Sequence, residues 1–518
     1  MSNKISKQQA VVLFTVCLAC FMALLDVTIV NVALPSIQEY FNSSYDKTQW
    51  VVSAYTLVYA VGLLLISKLA TIFGRKNIFL ISLVIFTVGS LVGSFSNTAN
   101  MLIVIRGIQG FGGAGMMTLS MSIIAQVFKG KQRGFAMGMW GVAAGLSTAS
   151  GPLFGGLLVE YFGWQSILLV NVPVGIVTIA LTYFSVPKNT DISKSNIDFL
   201  GIILSTAMIF SFIYGLIIKE NHYAYAWTNM KVMGWFIAGI ILLAAFIATE
   251  TLINNPMIDL KIFKSSTFVG VCIAAFALGS GLYAFFTYLA ILMQNYMQYT
   301  PLETGIRQML IGCFSIILGP LSGYFLSKLS QRILISGSLL IVGLGMVAMK
   351  LQLGYSSTWE VLIVSFVFFG IGNFFLNTVL SNTAVSSVDP RHIDMASGLA
   401  NVFRQSGITF GIVIYGIALT NGYNKHINDL WGNMHVMVPG MSQKIQHVFT
   451  NAGPFSGKAI VDKMSGSQLS HIFDFSQVNT IVSHAYYVGM QNVLTVGIVT
   501  FLIGAVLSFI LIKDKKLG

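Results

Sequence analysis

The sequence predicts an all-α protein that crosses a membrane many times. Of its 518 residues, 55% are hydrophobic and only 9% are charged, whereas about a quarter of the residues in a soluble protein are charged. The mean hydropathy is +0.79. Apolar runs of about 20 residues, the length that a helix needs to cross a bilayer, recur along the whole chain. Together these observations indicate a polytopic membrane protein.

The apolar runs predict fourteen transmembrane helices, separated by polar, glycine-rich or proline-rich clusters. The first run lacks the cleavage pattern of a signal peptide, so we interpret it as the first helix. The expected extents are residues 11–34, 49–70, 77–97, 100–124, 133–157, 164–186, 198–218, 232–252, 267–293, 303–327, 332–353, 358–382, 395–420 and 486–512.

The basic residues predict that both termini lie in the cytoplasm. With that orientation, 18 lysines and arginines lie in inner loops and 9 in outer loops, and four of those 9 fall in one long loop, 421–485. Long loops hardly influence topology, so the ratio that decides is 18 to 5. The net charge of +12 therefore reflects membrane orientation, and no nucleic-acid partner is expected.

Asp26 is the one acidic residue deep within a predicted span, in the segment LLDVTIVNVALP. A charge at the bilayer centre costs about 2.5–3.5 kcal/mol on insertion scales, so it should face the protein interior or a water-filled cavity. Such an acid can exchange a proton at physiological pH; the alternative is a structural hydrogen bond to a neighbouring helix. Glu39, near the outer end of the same span, is either a point of proton uptake or an ordinary interfacial charge.

Two arginines, Arg106 and Arg404, also fall within predicted spans. Arg106 lies in LIVIRGIQGFGGAG, with Gln109 one turn along the same face. Because arginine keeps its proton, Arg106 is a candidate counter-charge for a carboxylate; the alternative is that it snorkels to an interface. The glycines of this segment would let another helix backbone approach closely.

Two further segments stand out. GVAAGLSTASGPLFGG, residues 141–156, is a stripe of small residues with a proline, typical either of a packing seam or of a helix that rocks against its neighbour; its candidate residues are Gly141, Gly145, Gly151, Pro152, Gly155 and Gly156. SKLATIFGRKN is a short basic loop after the second helix, with candidate residues Ser67, Thr71, Gly74, Arg75 and Lys76.

These four segments resemble the major facilitator superfamily, and more narrowly its fourteen-helix drug:proton antiporter branch. LDVTIVNVALP resembles the helix-one signature of that branch, RGIQGFGGA its helix-four motif, and GLSTASGPLFGG its helix-five antiporter motif. WQSILLVNVPVG, NNPMIDLKIF and ASGLANVFRQSG also fit. The resemblance covers nearly the whole chain and links Arg106 to proton transfer.

One position departs from the family pattern. The loop after helix two usually carries a glycine and an aspartate where this chain has Ser67 and Thr71. The resemblance implies that the aspartate helps to latch the cytoplasmic side shut in the outward-open state. We therefore expect this latch to be weakened here.

The resemblance also implies an architecture. Residues 1–186 would form one six-helix bundle, 187–266 two additional helices with cytoplasmic linkers, and 267–518 a second six-helix bundle that includes the extracellular loop 421–485. A substrate cavity would lie between the bundles near mid-membrane. The candidate lining residues, each of which could instead be packing, are Gln109, Tyr55, Tyr59, Phe285, Tyr288, Asn295, Phe374, Asn377, Phe403 and Gln405.

The expected function is proton-driven export of lipophilic, often cationic drugs across the cell membrane by alternating access, with Asp26 carrying the proton and Arg106 tuning it. The alternative is an exporter dedicated to one endogenous lipid, peptide or metabolite. An enzyme is not expected, because no catalytic or metal-binding cluster occurs within the spans, and no GxxxxGK[ST] loop indicates a nucleotide-driven pump. We expect a monomer with no metal or cofactor, powered by the proton gradient.

Overall fold

The computed structural model describes residues 5–43, 45–188, 198–221, 225–253, 258–318, 325, 328–354, 357–431, 446–450, 453–454, 460–461 and 475–513. Within these residues, fourteen long helices follow one another along the chain. They are α1 (Lys7–Phe41), α2 (Tyr45–Phe73), α3 (Arg75–Ser94), α4 (Ala99–Val127), α5 (Gly130–Phe162), α6 (Ser166–Ser185), α7 (Phe199–Asn221), α8 (Met230–Leu252), α9 (Ser266–Tyr296), α10 (Pro301–Leu318), α11 (Gln331–Gln352), α12 (Ile363–Ser386), α13 (Ile393–Trp431) and α14 (Phe475–Leu511).

Twelve helices of the described chain are long and apolar enough to cross a membrane. The predicted all-α fold of a multi-pass membrane protein is thus confirmed. The other two helices, α5 and α10, coincide with the predicted spans 133–157 and 303–327, but they are not among the twelve. The count of fourteen spans therefore stays a prediction.

The bounds predicted for the last two helices are wrong. We expected a loop over 421–485, but α13 continues to Trp431 and α14 already begins at Phe475. The reason is a core-facing stripe that extends past the apolar run: Leu419, Tyr423 and Ile427 recur at four-residue spacing and are fully buried. Such a helix keeps its packing partners beyond the length that the bilayer requires. Residues 432–445 and most of 451–474 lie outside the described residues, and with them much of the predicted loop.

The buried apolar residues form several hydrophobic cores. One large core is built from residues between Val271 and Ile512, mainly in α9–α14. A second is built mainly from α1–α5. A third joins the helix pair α7 and α8 to α2, α9 and α13. The boundaries proposed for the three units stay predictions.

Hydrogen bonds show which helix ends share a face of the molecule. Gln9 at the start of α1 donates to the carbonyl of Val127 at the end of α4. Arg75 at the start of α3 donates to Asp394 at the start of α13. The backbone amide of Lys513, after α14, donates to Thr267 at the start of α9. We call this side, at which α1 begins and α14 ends, the N-terminal face.

Candidate functional site

A buried polar cluster surrounds Asp26. Its Oδ2 accepts a hydrogen bond from Arg106 Nη1 at 2.5 Å, and its Oδ1 accepts from Gln109 Nε2 at 3.1 Å and Asn171 Nδ2 at 3.0 Å. The side chains come from α1, α4 and α6. All four residues are at most 2% exposed. Asp26 therefore lies in the protein interior, as the cost of a mid-bilayer charge predicts.

The Arg106 guanidinium is held on several sides. Besides Asp26, it donates to Gln109 Oε1 at 2.8 Å and to the carbonyl of Val51 at 3.4 Å, and its carbon lies 4.3 Å from the centre of the Tyr55 ring. These contacts satisfy donors that a buried arginine cannot leave unpaired. The alternative interpretation, an arginine that snorkels to an interface, does not fit a side chain that is about 1% exposed.

The glycines of α4 make this arrangement possible. A Cβ atom on Gly110 would lie 2.4 Å from the carbonyl oxygen of Tyr55, and one on Gly113 would lie 2.3 Å from the Tyr55 hydroxyl. Glycine at these positions lets α2 pack directly on α4, which brings the Tyr55 ring under Arg106. The predicted close helix approach is thus present, and it serves the charged pair.

Sequence analysis missed two members of the cluster. Asn171 donates to Asp26, and Ser90 accepts a hydrogen bond from Gln109 Nε2 at 2.7 Å. Asn171 could have been selected from the sequence, because it is a polar residue in an apolar segment, two positions before Pro173. Ser90 could not, because nothing in the sequence distinguishes it from the many other serines. Glu39 lies apart, exposed near the C-terminal end of α1 and 13 residues from Asp26, about 20 Å along the helix axis.

The small-residue stripe of α5 packs against helices of both bundles. Cβ atoms on Gly151 and Gly155 would lie 2.0 Å from Thr28 Oγ1 and 3.1 Å from the carbonyl oxygen of Ile29, both on α1. Gly141 faces α12, where a Cβ would lie 2.7 Å from Thr378 Oγ1. The predicted seam thus joins α1, beside Asp26, to the C-terminal bundle. Gly145 and Gly156 are buried on the same helix, and the side chain of Pro152 is outside the described residues.

A second polar cluster, which we call the Arg404 cluster, lies where the bundles meet. It consists of Arg404, Asn401, Asn377, Tyr283 and Tyr59. Arg404 donates to the side-chain oxygens of Asn401 and Asn377, the latter at 3.5 Å, and lies within hydrogen-bonding reach of Tyr59. Asn377 and Tyr283 exchange hydrogen bonds of 2.8 and 3.0 Å. The sequence identified Tyr59 and Asn377 as candidates, but not the other three.

The other candidate lining residues occupy different environments. Phe285, Tyr288 and Phe374 are at most 1% exposed in packed interior positions, and the Tyr288 hydroxyl donates to the carbonyl of Ile412 at 2.5 Å. Phe403 packs against the core that contains α7 and α8. Asn295 lies in the last turn of α9, and Gln405 is half-buried one residue beyond Arg404. Of the ten candidate lining residues, the structure therefore brings four to the polar clusters: Gln109, Tyr55, Tyr59 and Asn377. The six residues described in this paragraph lie outside both clusters.

The basic loop predicted after the second helix is almost entirely helical: α2 continues to Phe73 and α3 begins at Arg75, so only Gly74 lies between them. This segment nevertheless has an acidic partner. Arg75 Nε lies 2.7 Å from Asp394 Oδ1 and 3.0 Å from Oδ2, and both side chains are largely buried. Thr71 donates instead to the carbonyl of Ser67. The expectation of a weakened latch considered only the loop itself, whereas the carboxylate comes from α13, 319 residues away.

The other candidate residues of this segment, Ser67, Gly74 and Lys76, lie at contacts or turns between helices. Ser67 is buried, and a Cβ on Gly398 of α13 would lie 2.1 Å from its Oγ. Gly74 precedes α3 with φ of 87°, a conformation that favours glycine. Lys76 donates to the carbonyl of Tyr183 at the end of α6. Thus the loop residues connect α2, α3 and α6 with the second bundle.

Comparisons with known proteins agree with this architecture. Residues 16–412 match the family described as Major Facilitator Superfamily. The chain is 29% identical over 419 residues to multidrug resistance protein Stp of Mycobacterium tuberculosis, covering 80% of this chain and 76% of that protein. It is 28% identical over 469 residues to multidrug resistance protein 3 of Bacillus subtilis, covering 88% and 90%.

A solved structure shares the fold at low sequence identity. The human organic anion transporter MFSD10 superposes with a TM-score of 0.63 at 14% identity, covering 97% of this chain and all of that one. At this identity the likeness concerns the fold alone. The family match, which extends over more than half of the chain, identifies a transport protein and not an enzyme: the chain belongs to the major facilitator superfamily.

Proposed function

We propose that this protein exports lipophilic compounds across the cell membrane in exchange for protons. The observation that carries the proposal is the buried carboxylate of Asp26, held by three donors of which one is a permanent cation. The names of the relatives, which are multidrug resistance proteins, support drugs as the substrate class. Both similarities extend over at least three quarters of each chain.

A proton on Asp26 would change the cluster. The ionised carboxylate accepts from Arg106, Gln109 and Asn171, whereas a protonated carboxyl is uncharged and carries an O–H donor. Because arginine stays charged, protonation removes the charge–charge attraction between α1 and α4 without removing the charge on α4. Arg106 would keep its contacts with Gln109, Val51 and Tyr55. Proton uptake would therefore loosen α1 locally.

Movement of α1 can reach the interface between the bundles through α5. Thr28, two residues after Asp26, packs on Gly151, while Gly141 of the same α5 packs on Thr378 of the other bundle. Closer to the other face, a Cβ on Gly305 of α10 would lie 2.5 Å from the Leu153 backbone nitrogen. Helices in such close contact would move as rigid bodies from one packing to another, as alternating access requires. One proton crossing 100 mV would supply about 2.3 kcal/mol.

The decisive test is efflux from proteoliposomes under an imposed pH gradient. The wild type and Asp26→Asn should be compared with Glu39→Gln, a matched control that neutralises the exposed acid of the same helix. We expect Asp26→Asn to abolish gradient-driven efflux while the protein stays folded and inserted, and Glu39→Gln to retain it. Full gradient-driven efflux by Asp26→Asn would show that Asp26 is purely structural.

The proposed orientation places the N-terminal face in the cytoplasm, as the basic residues predict. In a cysteine-free background, single cysteines at exposed Lys188 and Gln298 would mark the two faces. An impermeant thiol reagent added to whole cells should label only the cysteine at 298. Labelling of the cysteine at 188 alone would reverse the orientation.

A further inference from the structure

Arg404 is an embedded positive charge whose contacts, within the part of the chain that the structure describes, are with neutral groups. It lies 11 residues into α13, about 16 Å from the N-terminal face, which is close to the middle of a bilayer core about 30 Å thick. Its partners are the amide oxygens of Asn401 and Asn377 and the phenol of Tyr59. Arginine cannot escape this position by losing its proton.

The contrast with Arg106 is informative. Arg106 has the Asp26 carboxylate at 2.5 Å, but in the described part of the chain no carboxylate lies within 4.0 Å of the Arg404 guanidinium. By sequence, Asp26 is also the only acid deep within a predicted span. Near the middle of the predicted spans, two arginines and one aspartate leave an excess of one positive charge.

The charge of Arg404 is accessible where the bundles meet. Arg404 and Tyr283 are partly exposed, whereas Arg106 and Asp26 are buried. Tyr59 comes from α2 of one bundle, while Tyr283, Asn377 and Arg404 come from α9, α12 and α13 of the other. A group bound here would thus contact both bundles, which is the position expected of a transported substrate.

The backbones of α9 and α13 approach each other closely beside Arg404. A Cβ on Gly279 of α9 would lie 2.1 Å from the Arg404 carbonyl oxygen, and one on Gly407 would lie 2.4 Å from the Phe276 carbonyl oxygen. The helix α9 is also interrupted by a π-helical turn over Gly279–Tyr283, a feature often found at functional sites. Close packing of α9 on α13 thus fixes the backbone from which the Arg404 side chain projects.

We infer that the Arg404 cluster binds an oxyanion, such as a carboxylate or sulfonate, carried on a lipophilic substrate. The planar guanidinium can donate two parallel hydrogen bonds to such a group, and the partly exposed Tyr283 ring offers a face for an apolar body. This inference rests on the proposed export function and specifies its substrate class. It revises the expectation of often cationic drugs, which took account of Asp26 but not of the unneutralised Arg404.

An anion also suits export energetically. With the proposed orientation, the inside-negative membrane potential drives a negatively charged substrate outward. Proton uptake at Asp26 and anion binding at Arg404 then involve separate groups, so neither must displace the other from a shared carboxylate. A cation, by contrast, would meet the positive charge of Arg404 in this cluster.

The test compares two probes that share one apolar skeleton. 8-Anilinonaphthalene-1-sulfonate carries a sulfonate, and N-phenyl-1-naphthylamine is its uncharged counterpart. Binding of each to the purified full chain should be measured by calorimetry for the wild type, Arg404→Gln, Arg404→Lys and the control Arg391→Gln. Arg391 is an exposed arginine that pairs locally with Asp389.

We expect the wild type to bind the sulfonate at least tenfold more tightly than the neutral probe. Arg404→Gln should lose this preference without weakening the neutral probe more than twofold. Arg404→Lys should keep part of the preference, and Arg391→Gln all of it. Equal wild-type affinities, or an equal loss of both probes in folded Arg404→Gln, would overturn the inference.

Transport of the same probes separates this inference from the proposed function. In proteoliposomes with a pH gradient, Arg404-dependent binding without any gradient-driven transport would contradict the export proposal but not the anion site. Gradient-driven transport of a cation such as ethidium, undiminished in Arg404→Gln and without sulfonate preference, would uphold export and overturn the anion site.

Discussion

Arg75 and Asp394 join the two bundles at the N-terminal face. The Arg75 guanidinium donates from Nε to both carboxylate oxygens, at 2.7 and 3.0 Å, and the side chains are 13% and 4% exposed. One residue begins α3 and the other lies in the first turn of α13. Because the partners belong to different bundles, the pair must break whenever this face opens.

The first prediction is that Asp394→Asn favours opening at the N-terminal face. A hydrogen bond to a charged group contributes about 1.5–3 kcal/mol, and 1.4 kcal/mol corresponds to a tenfold change in a population ratio. Spin labels at exposed Asn77 and Leu329, one on each bundle, should report about a tenfold rise in the open population. The control Asp389→Asn removes an exposed acid that binds only Arg391 nearby and should leave the distances unchanged.

A second prediction concerns Thr71, where the family pattern has an aspartate. Since Asp394 already binds Arg75, Thr71→Asp alone should change the opening equilibrium less than Asp394→Asn does. In the Asp394→Asn background, the new carboxylate lies in the same bundle as Arg75, so a pair between them cannot join the bundles and should not restore the closed population. The same spin-label distances measure both effects. A large closing shift in the single variant would mean that Asp394 does not act as the latch.

The third prediction is a non-additive loss of stability at the buried pair. Arg106→Ala leaves Asp26 as a buried charge without its cation, and breaking such a pair costs about 3–5 kcal/mol. The double variant with Asp26→Asn removes both charges, so it should be more stable than Arg106→Ala alone. Thermal unfolding in detergent would show this order. If the two substitutions lower the unfolding temperature additively, Asp26 and Arg106 are not energetically coupled.

The fourth prediction concerns contact near the opposite face. In Gly305→Ala, the new Cβ would lie 2.5 Å from the backbone nitrogen of Leu153, which cannot move aside as a side chain could. The bundles should therefore separate at that face, and spin labels at exposed Tyr161 and Gln298 should move apart. Gly337→Ala is the control, because a Cβ there meets nothing within 4 Å. Unchanged distances would show that α5 and α10 separate without constraint at Gly305.

Much of the fold could be predicted from the sequence because membrane insertion depends on local composition. A run of 20 apolar residues is recognisable without any tertiary information, and twelve such helices are present in the described residues. Prediction was poorest at the ends of α13 and α14. There, packing against the core extends each helix beyond its apolar run, and the buried stripe of Tyr423 and Ile427 is interrupted by polar residues.

The sequence by itself determined that Asp26 and Arg106 are buried charges, because a charge within an apolar run has few acceptable environments. Only the tertiary structure decided their partners, since Asn171 and Ser90 are ordinary polar residues until folding places them beside Gln109 and Asp26. The same holds for Asp394, 319 residues from the arginine that it binds, and for Arg404. Whether an embedded charge is neutralised depends on distances between helices that are remote in sequence. Those distances are set by tertiary packing and cannot be read from one amino-acid sequence.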